Sequence, residues 1–360
     1  MYKTIFINGR FLTQPAAGVQ RYSLVLLNHI DRLLSEEAYS GIKMICLVPP
    51  VDSNTPDWKN IELRKVGINK ANLWEQIDLV IYARGRLLFS PANTGPFYYA
   101  NQAITIHDAS VFRLTGNYRS LFRAKYAFIF WVLGRIARLV LTDSRFSQQE
   151  LAHFLGVPLS RLKVILLGGD HLSDTIADTG FLQKQGLVKN SYLLSVATEA
   201  RHKNLDRVFQ AEAVFEAQVA FVMAGARYEK LFHPKEKHSN SSGMRLLGFV
   251  TDSELKALYE NALALVFPSI YEGFGLPVLE AMNCGCPVLC SNAAALPEVG
   301  GSAALYFDPL DVDGLNAAIK QFLADPALQA DLIRRGRPQA AEFPWEKTAR
   351  ETLAALVECV

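Results

Sequence analysis

The sequence predicts an α/β protein made of two doubly wound, Rossmann-like domains. Short apolar runs alternate with helical patterns, the alternation stops at a polar segment near the middle of the chain, and it then begins again. The length of 360 residues also exceeds what one core usually serves, because domains tend to have roughly 100–200 residues. We therefore expect two buried sheets with helices on their faces.

The first half contains six runs with the length and aliphatic composition of buried strands. They span residues 3–8, 43–48, 86–90, 103–107, 138–143 and 163–167. Helices are predicted near residues 18–34, 72–82, 119–135 and 147–155. At the last of these helices, Ser147 and Glu150 have the spacing of a capping box. Such βα alternation is typical of a parallel sheet.

A polar segment rich in glycine and aspartate, residues 168–180, interrupts the alternation and is interpreted as a linker. Six further strands then follow, at residues 192–198, 220–225, 244–249, 263–268, 287–292 and 304–309. One helix starts near Asn204, and another is opened by a capping box of Thr251 and Glu254. We expect domains at residues 1–170 and 186–344, a linker at 171–185, and a C-terminal helix, 345–360, that packs back on the first domain.

Charge and cysteine content exclude some classes of protein. The formal net charge of +2 argues against nucleic acid as a partner. Five cysteines without a signal-peptide pattern favour a reducing cytoplasm over a disulfide framework. Cys284, Cys286 and Cys290 lack the paired spacing of a zinc site, so we expect them to be core residues. No metal or other cofactor is expected.

Residues 119–141 form the most apolar long segment, but four basic residues interrupt it, so a transmembrane helix is excluded. Two interpretations are open. The segment is either a helix that covers the sheet and runs into a strand, which we favour, or an amphipathic helix that contacts an anionic membrane peripherally.

Residues 271–285 predict a helix that begins where an anion could bind. Pro277 suits the first helical position and Gly285 suits the end, so the backbone N–H groups of Phe274, Gly275 and Leu276 are donors at a helix N-terminus. Glu272 precedes these donors and Glu280 lies about one turn inside the helix. The two carboxylates could thus contact opposite ends of a ligand whose phosphates lie between them.

Other loops at strand ends carry candidate ligand-binding residues. Arg201, His202 and Lys203 follow a buried strand and could neutralise a diphosphate. His107 and Asp108 end the strand AITIHD, where ligands of open α/β sheets bind. Residues 8–23 form a long turn in which Gly18 could let the backbone approach a ligand, but the Gly-x-Gly-x-x-Gly fingerprint of nicotinamide binding is absent.

Several of these stretches together resemble retaining glycosyltransferases of family 4, which have the GT-B fold of two Rossmann-like domains facing a cleft. The resemblance extends from Gly18 to Trp345 and is carried by EGFGLPVLEAM (272–282), ATEARHKNLDR (197–207), LGFVTDSELKALYENA (247–262), IHD (106–108), DSRFSQQEL (143–151) and FPWEKTA (343–349). It implies an acceptor-side first domain and a second domain that binds a nucleotide-sugar donor.

The resemblance also implies a role for each candidate residue. Glu272 would bind hydroxyls of the donor sugar, and Glu280 would bind the ribose. Lys203 with Arg201 would stabilise the leaving diphosphate, and the amides of residues 274–276 would contact the sugar and diphosphate. The base would contact Phe249 and Val250. The sugar would contact His107 and Asp108, and the phosphates would lie close to Gly18. Thr198 stands where many relatives have arginine, so either Arg201 or His202 supplies that charge.

The expected function is retaining, metal-independent hexosyl transfer to a lipid-linked or polysaccharide acceptor in surface glycan synthesis. GDP-mannose is the first choice of donor, with UDP- and dTDP-sugars as alternatives. Other GT-B activities, such as an epimerase or an inverting transferase, and a catalytically silent sugar-nucleotide-binding protein are the competing interpretations. We expect a cytoplasmic protein, with peripheral contact at the inner face of the membrane left open.

Overall fold

The computed structural model describes residues 3–15, 18–51, 55–116, 120–198, 200–211, 219–225 and 244–360. The chain divides into two compact units. Unit 1 consists of Met1–Leu167 together with Trp345–Val360, and unit 2 consists of Gly168–Pro344. Each unit contains one parallel sheet, as βα alternation predicts.

The sheet of unit 1 has seven parallel strands in the order β3-β2-β1-β4-β5-β6-β7. The strands are Lys3–Asn8 (β1), Ile42–Val48 (β2), Ile61–Lys65 (β3), Leu87–Ser90 (β4), Gln102–Thr105 (β5), Leu139–Thr142 (β6) and Leu162–Val164 (β7). All six predicted strands are present, but β5 ends before His107. Strand β3 was not predicted, because its second half is polar and exposed.

The helices of unit 1 cover this sheet. They are Gly18–Leu33 (α1), Ala71–Gln76 (α2), Asp78–Ala83 (α3), Ser110–Arg113 (α4), Ser120–Ile136 (α5) and Arg145–Leu155 (α6), with 3-10 turns at Gly9–Thr13, Glu37–Tyr39 and Leu159–Arg161. The C-terminal helix, Trp345–Val357, packs against α1. The predicted capping box of Ser147 and Glu150 is wrong, because Ser144 caps α6 and its side chain accepts the N–H of Ser147.

The sheet of unit 2 has six parallel strands in the order β10-β9-β8-β11-β12-β13. They are Tyr192–Val196 (β8), Ala220–Ala224 (β9), Met244–Gly248 (β10), Ala264–Phe267 (β11), Val288–Ser291 (β12) and Ala304–Phe307 (β13). The described helices are Thr179–Lys184 (α7), Leu205–Gln210 (α8), Asp252–Asn261 (α9), Leu276–Asn283 (α10), Leu296–Gly300 (α11), Val312–Ala324 (α12) and Pro326–Ala341 (α13), with a 3-10 turn at Arg201–Lys203. The predicted capping box of Thr251 and Glu254 is present at α9.

Strands that are buried on both faces form the cores of both units. In unit 2, Leu193, Phe221, Val266 and Leu289 come from four neighbouring strands and pack in one cluster with residues of α12. In unit 1, the corresponding cluster joins β5 and β6 to α5 and α6. Strands of a parallel sheet are buried on both faces, so they appear in the sequence as near-continuous apolar runs. Such runs therefore indicate a parallel sheet. Within the described ranges, no helix has the length and apolar character needed to cross a membrane.

Candidate active site

The strand order of unit 2 reverses between β8 and β11, which lie side by side although β9 and β10 come between them in the chain. Ligands of open α/β sheets bind at such a switch point, beyond the carboxyl ends of the strands. The chain leaves β8 toward Arg201–Lys203 and leaves β11 toward Glu272. The backbone N–H of Ile270 donates to the carbonyl of His202 at 2.8 Å, so the two loops are in contact.

Asn204 fixes the position of the first loop. Its side-chain amide donates to the carbonyl of Pro268 at 3.1 Å and to the carbonyl of Pro309 at 2.7 Å. These acceptors follow β11 and β13, so one side chain ties together the loops after three strands. Asn204 itself has a φ of 56°, which is a conformation that asparagine tolerates better than most residues.

Lys203 and Glu272, the two residues predicted to carry most of the chemistry, contact each other. The ammonium Nζ of Lys203 lies 2.7 Å and 3.0 Å from the two carboxylate oxygens of Glu272. Nζ also lies 5.6 Å from the centre of the Phe267 ring. The side chains are 18% and 12% exposed, so water reaches both partners. The two charges of the pair neutralise each other. When a ligand binds, the ammonium and the carboxylate can each contact a different group of the ligand instead.

Helix α10 begins directly beyond Glu272. Gly275 is its N-cap with a φ of 119°, a backbone conformation open to glycine and strained for other residues. A Cβ at this position would lie 2.7 Å from Cδ2 of Leu296. Pro277 follows within the first turn, and no side chain caps the helix. The first N–H groups of a helix have no intrahelical acceptor, so this end of α10 is suited to bind an anion.

Glu280 is buried inside α10, with its side chain 5% exposed. The hydroxyl of Tyr259 donates to Oε2 at 2.8 Å, and Nε2 of His171 lies 3.3 Å from Oε1. Burial, followed by the negative charge of Glu280, raises the pKa of Tyr259 well above its usual value, so Tyr259 stays a hydrogen-bond donor. The structure therefore holds the carboxylate between two side chains that the sequence analysis did not identify.

The other predicted residues of unit 2 differ in exposure. Arg201 is exposed in the turn Arg201–Lys203, and His202 is half-buried. Phe249 is 68% exposed directly after β10, whereas the neighbouring Val250 is buried. An exposed ring beside a buried aliphatic residue fits the predicted contact with a flat base.

His107 of unit 1 lies beyond β5 and is buried. Its Nδ1 is 2.7 Å from the carboxylate of Asp143, and its Nε2 is 3.0 Å from the carbonyl oxygen of Pro91. The ring of Tyr22 packs edge-on against the imidazole, with centres 4.6 Å apart. Both ring nitrogens therefore face acceptors within unit 1, an arrangement that a doubly protonated imidazole satisfies.

The pKa of His107 reflects this environment. Burial alone would lower the pKa, but the charge and hydrogen bond of Asp143 outweigh burial, and the pKa is raised above its ordinary value. The proton is thereby held between imidazole and carboxylate. Asp143 ends the run predicted as strand 138–143, and its position at a strand end was the signal that could have identified it.

Asp108 and Gly18 have simpler surroundings. The carboxylate of Asp108 accepts the backbone N–H of Ser110 at 2.8 Å, which stabilises the start of α4. Gly18 is the first residue of α1, and a Cβ added there would meet no atom within 4 Å. Close packing within unit 1 is thus not the reason for a glycine at position 18.

The three neighbouring cysteines belong to the core. Cys286 and Cys290 are buried and Cys284 is partly buried, and all are free thiols. Burial raises the pKa of the Cys284 thiol to about 12 and also raises the pKa of the other two thiols. No group of three or more His, Cys, Asp or Glu side chains suited to a metal occurs in the described part of the chain.

One Asp-x-Asp sequence, the spacing of a common metal motif, is present at Asp311–Asp313 and bears on the prediction of a metal-independent site. Asp311 is the N-cap of α12, and its carboxylate accepts the backbone N–H of Asp313 at 3.0 Å. The pattern thus has a helix-capping explanation.

The structure brings Lys203, Glu272 and the start of α10 together at one switch point. His171 was not predicted to contact the site, because the polar segment around it was predicted to be a linker. Gly169 in the same segment packs against Leu279, and its N–H donates to the carbonyl of Phe343. This segment packs against α10 only through tertiary contacts, and no local sequence pattern predicts that packing.

Comparison with known proteins identifies relatives of the whole chain. The family model described as glycosyl transferases group 1 matches residues 181–339. The chain is 30% identical over 371 residues to the O-antigen chain mannosyltransferase B of Escherichia coli, covering 95% of this chain and 96% of the relative. It is 25% identical to the O-antigen chain mannosyltransferase RfbU of Salmonella typhimurium, again covering 95% and 96%.

A solved structure matches the fold over nearly the full length. The sucrose-phosphate synthase of Thermosynechococcus elongatus has a TM-score of 0.75 and 18% identity, covering 99% of this chain and 98% of the other. At this identity the likeness concerns the fold, which is the GT-B arrangement of two Rossmann-like sheets. The predicted fold class is thus confirmed.

Proposed function

The chain belongs to the group 1 glycosyltransferases, and from this premise we propose that it transfers mannose from GDP-mannose to a growing surface glycan. The support for mannose is that two relatives that match over 95% of the chain are O-antigen chain mannosyltransferases. The acceptor in this proposal is a lipid-linked or polysaccharide glycan. The protein acts in the cytoplasm, at the inner face of the membrane where such acceptors are assembled.

The observation that carries the proposal is the pairing of Lys203 with Glu272 beside the start of α10. Breaking a sugar–diphosphate bond places negative charge on the leaving oxygen and positive character on the sugar. An ammonium with a helix N-terminus stabilises the leaving group, and an adjacent carboxylate holds the sugar hydroxyls. The site thus has opposite charges available at the two ends of the bond that breaks.

The reaction proceeds with retention in this proposal. The acceptor hydroxyl attacks the sugar carbon on the face that the diphosphate leaves, and a diphosphate oxygen takes the hydroxyl proton. Lys203 and Arg201 stabilise the charge of the departing diphosphate, so that the chain's own cations serve in place of a divalent ion. Glu272 orients the sugar, and Glu280 binds the ribose from the position that Tyr259 and His171 give it.

Three residues of unit 1 have proposed roles that rest on the resemblance to the family. His107 contacts the sugar near the reacting carbon through the part of its ring that Asp143 and Pro91 do not use. Asp108 lies beside it, and the open space at the Gly18 α-carbon suits an approaching phosphate. Phe249 and Val250 border the base in unit 2.

A donor screen tests this function. The protein is incubated with GDP-mannose, UDP-glucose, dTDP-rhamnose and ADP-glucose, and unfolding temperature and nucleotide release are recorded. A ligand at 100 times its dissociation constant adds about 2.7 kcal/mol of apparent stability, so the correct base produces a selective shift. Stabilisation by UDP-glucose alone would replace mannose with the UDP-sugar alternative. Stabilisation without turnover of any donor, with a suitable acceptor present, would favour a silent binding protein.

A further inference from the structure

The strand order of unit 1 also reverses, between β1 and β4, which lie side by side although β2 and β3 come between them in the chain. Ligands of open α/β sheets bind beyond the carboxyl ends of the strands at such a switch point. In unit 2, the switch point carries the pair of Lys203 and Glu272. A second binding site is therefore expected where β1 and β4 end.

Unit 1 contains a cavity of about 80 Å³ at this position. Its lining comes from α2, from the loop after β4 and from α5, and it includes Asn72, Glu75, Thr94, Phe97, Lys125 and Tyr126. We call it the Glu75 cavity. A single water molecule needs about 10–15 Å³ of such space, so the cavity accommodates several hydroxyl-sized groups. This size suits part of one sugar better than it suits a nucleotide.

Glu75 contributes a buried carboxylate to the lining. Asn8, the last residue of β1, donates its side-chain N–H to Oε1 of Glu75 at 2.8 Å. The hydroxyl of Thr94, in the loop after β4, donates to the same oxygen at 2.8 Å. Arg10 donates to Oε2 at 2.8 Å. The segments that follow β1 and β4 therefore meet at this one carboxylate.

The carboxylate of Glu75 can accept another hydrogen bond. A carboxylate has acceptor sites for about four hydrogen bonds. Among the described residues, Oε1 has two donors and Oε2 has one. The paired side chains of Arg10 and Glu75 are 14% and 3% exposed, so the guanidinium offsets the buried negative charge. An acceptor of this kind favours a ligand that donates hydrogen bonds, which a sugar hydroxyl does and an ionised phosphate does not.

The other lining residues also suit a saccharide. Phe97 and Tyr126 are partly buried and provide apolar surface for the C–H groups of a sugar ring. Asn72 and Lys125 are exposed and can donate hydrogen bonds to sugar oxygens. Apolar walls with a few polar groups are the usual composition of a small-molecule site.

One loop connects the Glu75 cavity with His107. Nε2 of His107 lies 3.0 Å from the carbonyl oxygen of Pro91, and the backbone N–H of His107 donates to the side-chain oxygen of Asn93 at 2.9 Å. The same loop continues directly to Thr94 and Phe97, which line the cavity. In the proposed function, His107 contacts the donor sugar near the reacting carbon. A ligand in the cavity is thus held by the loop that also positions His107, as an acceptor requires.

We propose that the Glu75 cavity is the subsite for a sugar of the acceptor, and that Glu75 determines acceptor specificity by accepting a hydrogen bond from one of its hydroxyls. A site built around such a bond discriminates against a sugar without that hydroxyl, because a buried polar group then loses its partner. The inference rests on the proposed function for the role of the ligand as an acceptor. Binding of a sugar in the cavity does not itself require a donor.

Binding of a disaccharide tests the subsite in the absence of donor. The full chain is titrated with the methyl glycoside of an α-linked mannose disaccharide and with its monodeoxy analogues, and saturation-transfer NMR gives the dissociation constants. One monodeoxy analogue should bind wild type about tenfold more weakly than the parent, the loss of one hydrogen bond to a charged group.

Glu75→Gln keeps the shape of the side chain and removes its charge. This variant should bind the parent disaccharide about tenfold more weakly than wild type does, and it should no longer distinguish the critical monodeoxy analogue from the parent. A merely structural role of Glu75 would leave that discrimination in place. Equal binding of the parent by wild type and folded Glu75→Gln would overturn the inference.

Asn72→Ala combined with Lys125→Ala tests the subsite even if Glu75→Gln does not fold, because both of these side chains are exposed. The KM for the disaccharide as acceptor should rise about fivefold or more, while the KM for GDP-mannose stays within about twofold. Lys3→Ala is the matched control, since Lys3 is exposed at the opposite end of β1, and it should keep both constants. An unchanged acceptor KM in the folded double variant, or an equal rise in the control, would overturn the subsite.

The two assays separate this inference from the proposed function. Disaccharide binding that Glu75→Gln weakens, without turnover of any donor, would support the subsite and reject the proposed function. Turnover of GDP-mannose with the same acceptor KM in wild type and in both cavity variants would reject the subsite and support the proposed function.

Discussion

Two pairs of charged side chains lie beyond the carboxyl ends of strands, one pair in each unit. The pairs differ in their exposure and in the number of hydrogen bonds that hold them. In unit 2, both contacts of the Lys203 ammonium go to the one carboxylate of Glu272, and the side chains are partly exposed. In unit 1, His107 is buried, is bonded at both ring nitrogens and is packed against Tyr22. Lys203 and Glu272 can therefore separate and contact a ligand, whereas His107 is held in one orientation by its partners.

The largest expected effect comes from breaking the pair in unit 2. Lys203→Ala should lower turnover of GDP-mannose by about a hundredfold to a thousandfold, because a preorganised donor at a developing oxyanion contributes roughly that much. Glu272→Ala should lower it by about a hundredfold or more, because a sugar that is no longer held in position reacts more slowly by roughly that factor. Nucleotide release under saturating donor measures the effect. Lys189→Ala, which changes an exposed lysine of the same unit, is the matched control and should keep full turnover. Wild-type turnover in a folded Lys203→Ala variant would reject the site.

Breaking the pair in unit 1 should act first on stability. Asp143→Asn leaves a buried imidazole beside a neutral amide and should cost about 3 kcal/mol, the size of losses seen when one partner of a buried ion pair is removed. Urea unfolding followed by circular dichroism measures the change. A loss below about 1 kcal/mol would show that the charge of Asp143 contributes little, because a neutral hydrogen bond alone has about that value.

The same pair predicts a pH dependence. The pKa of His107 is raised in the folded chain, so the stabilisation from its protonated form is fully present below the ordinary value of about 6.5. It is lost as the pH rises through the folded value. The stability difference between wild type and Asp143→Asn should therefore be largest near the ordinary value and shrink at alkaline pH. Urea midpoints across this range test the sign, and a difference that grows with pH would contradict it.

A smaller effect is expected at Glu280. Tyr259→Phe removes the hydroxyl that donates to the buried carboxylate and keeps the ring in place. If Glu280 positions the ribose, the KM for donor should rise about fivefold to tenfold while kcat changes little, the loss of about one hydrogen bond in binding. Tyr192→Phe is a matched control, since that hydroxyl donates to the carbonyl of Leu258 instead. A loss confined to kcat would contradict the positioning role.

Features with a local signature could be predicted from the sequence. Aliphatic runs identified twelve strands, and the capping pattern of Thr251 with Glu254 located the start of α9. The glycines and Pro277 predicted the start of α10, because φ of 119° at Gly275 and an early proline are local requirements. The strand β3 escaped because it is short and partly exposed at the sheet edge.

Features set by tertiary contact could not be predicted in this way. His171 lies more than a hundred residues before Glu280 in a segment with the composition of a linker, and only folding brings the two side chains together. The capping error at α6 has a related cause, since Ser144 and Ser147 are both plausible caps by composition. Backbone geometry decided between them.

The anomeric configuration of the product is a direct test of retaining mannosyl transfer at this site. Wild-type protein is incubated with GDP-mannose, an α-linked donor, and a soluble acceptor, and the new linkage is assigned by proton and carbon NMR. We expect an α-mannoside from the wild type and no product from Glu272→Ala. A β-mannoside, or an α-mannoside formed by Glu272→Ala at the wild-type rate, would contradict it.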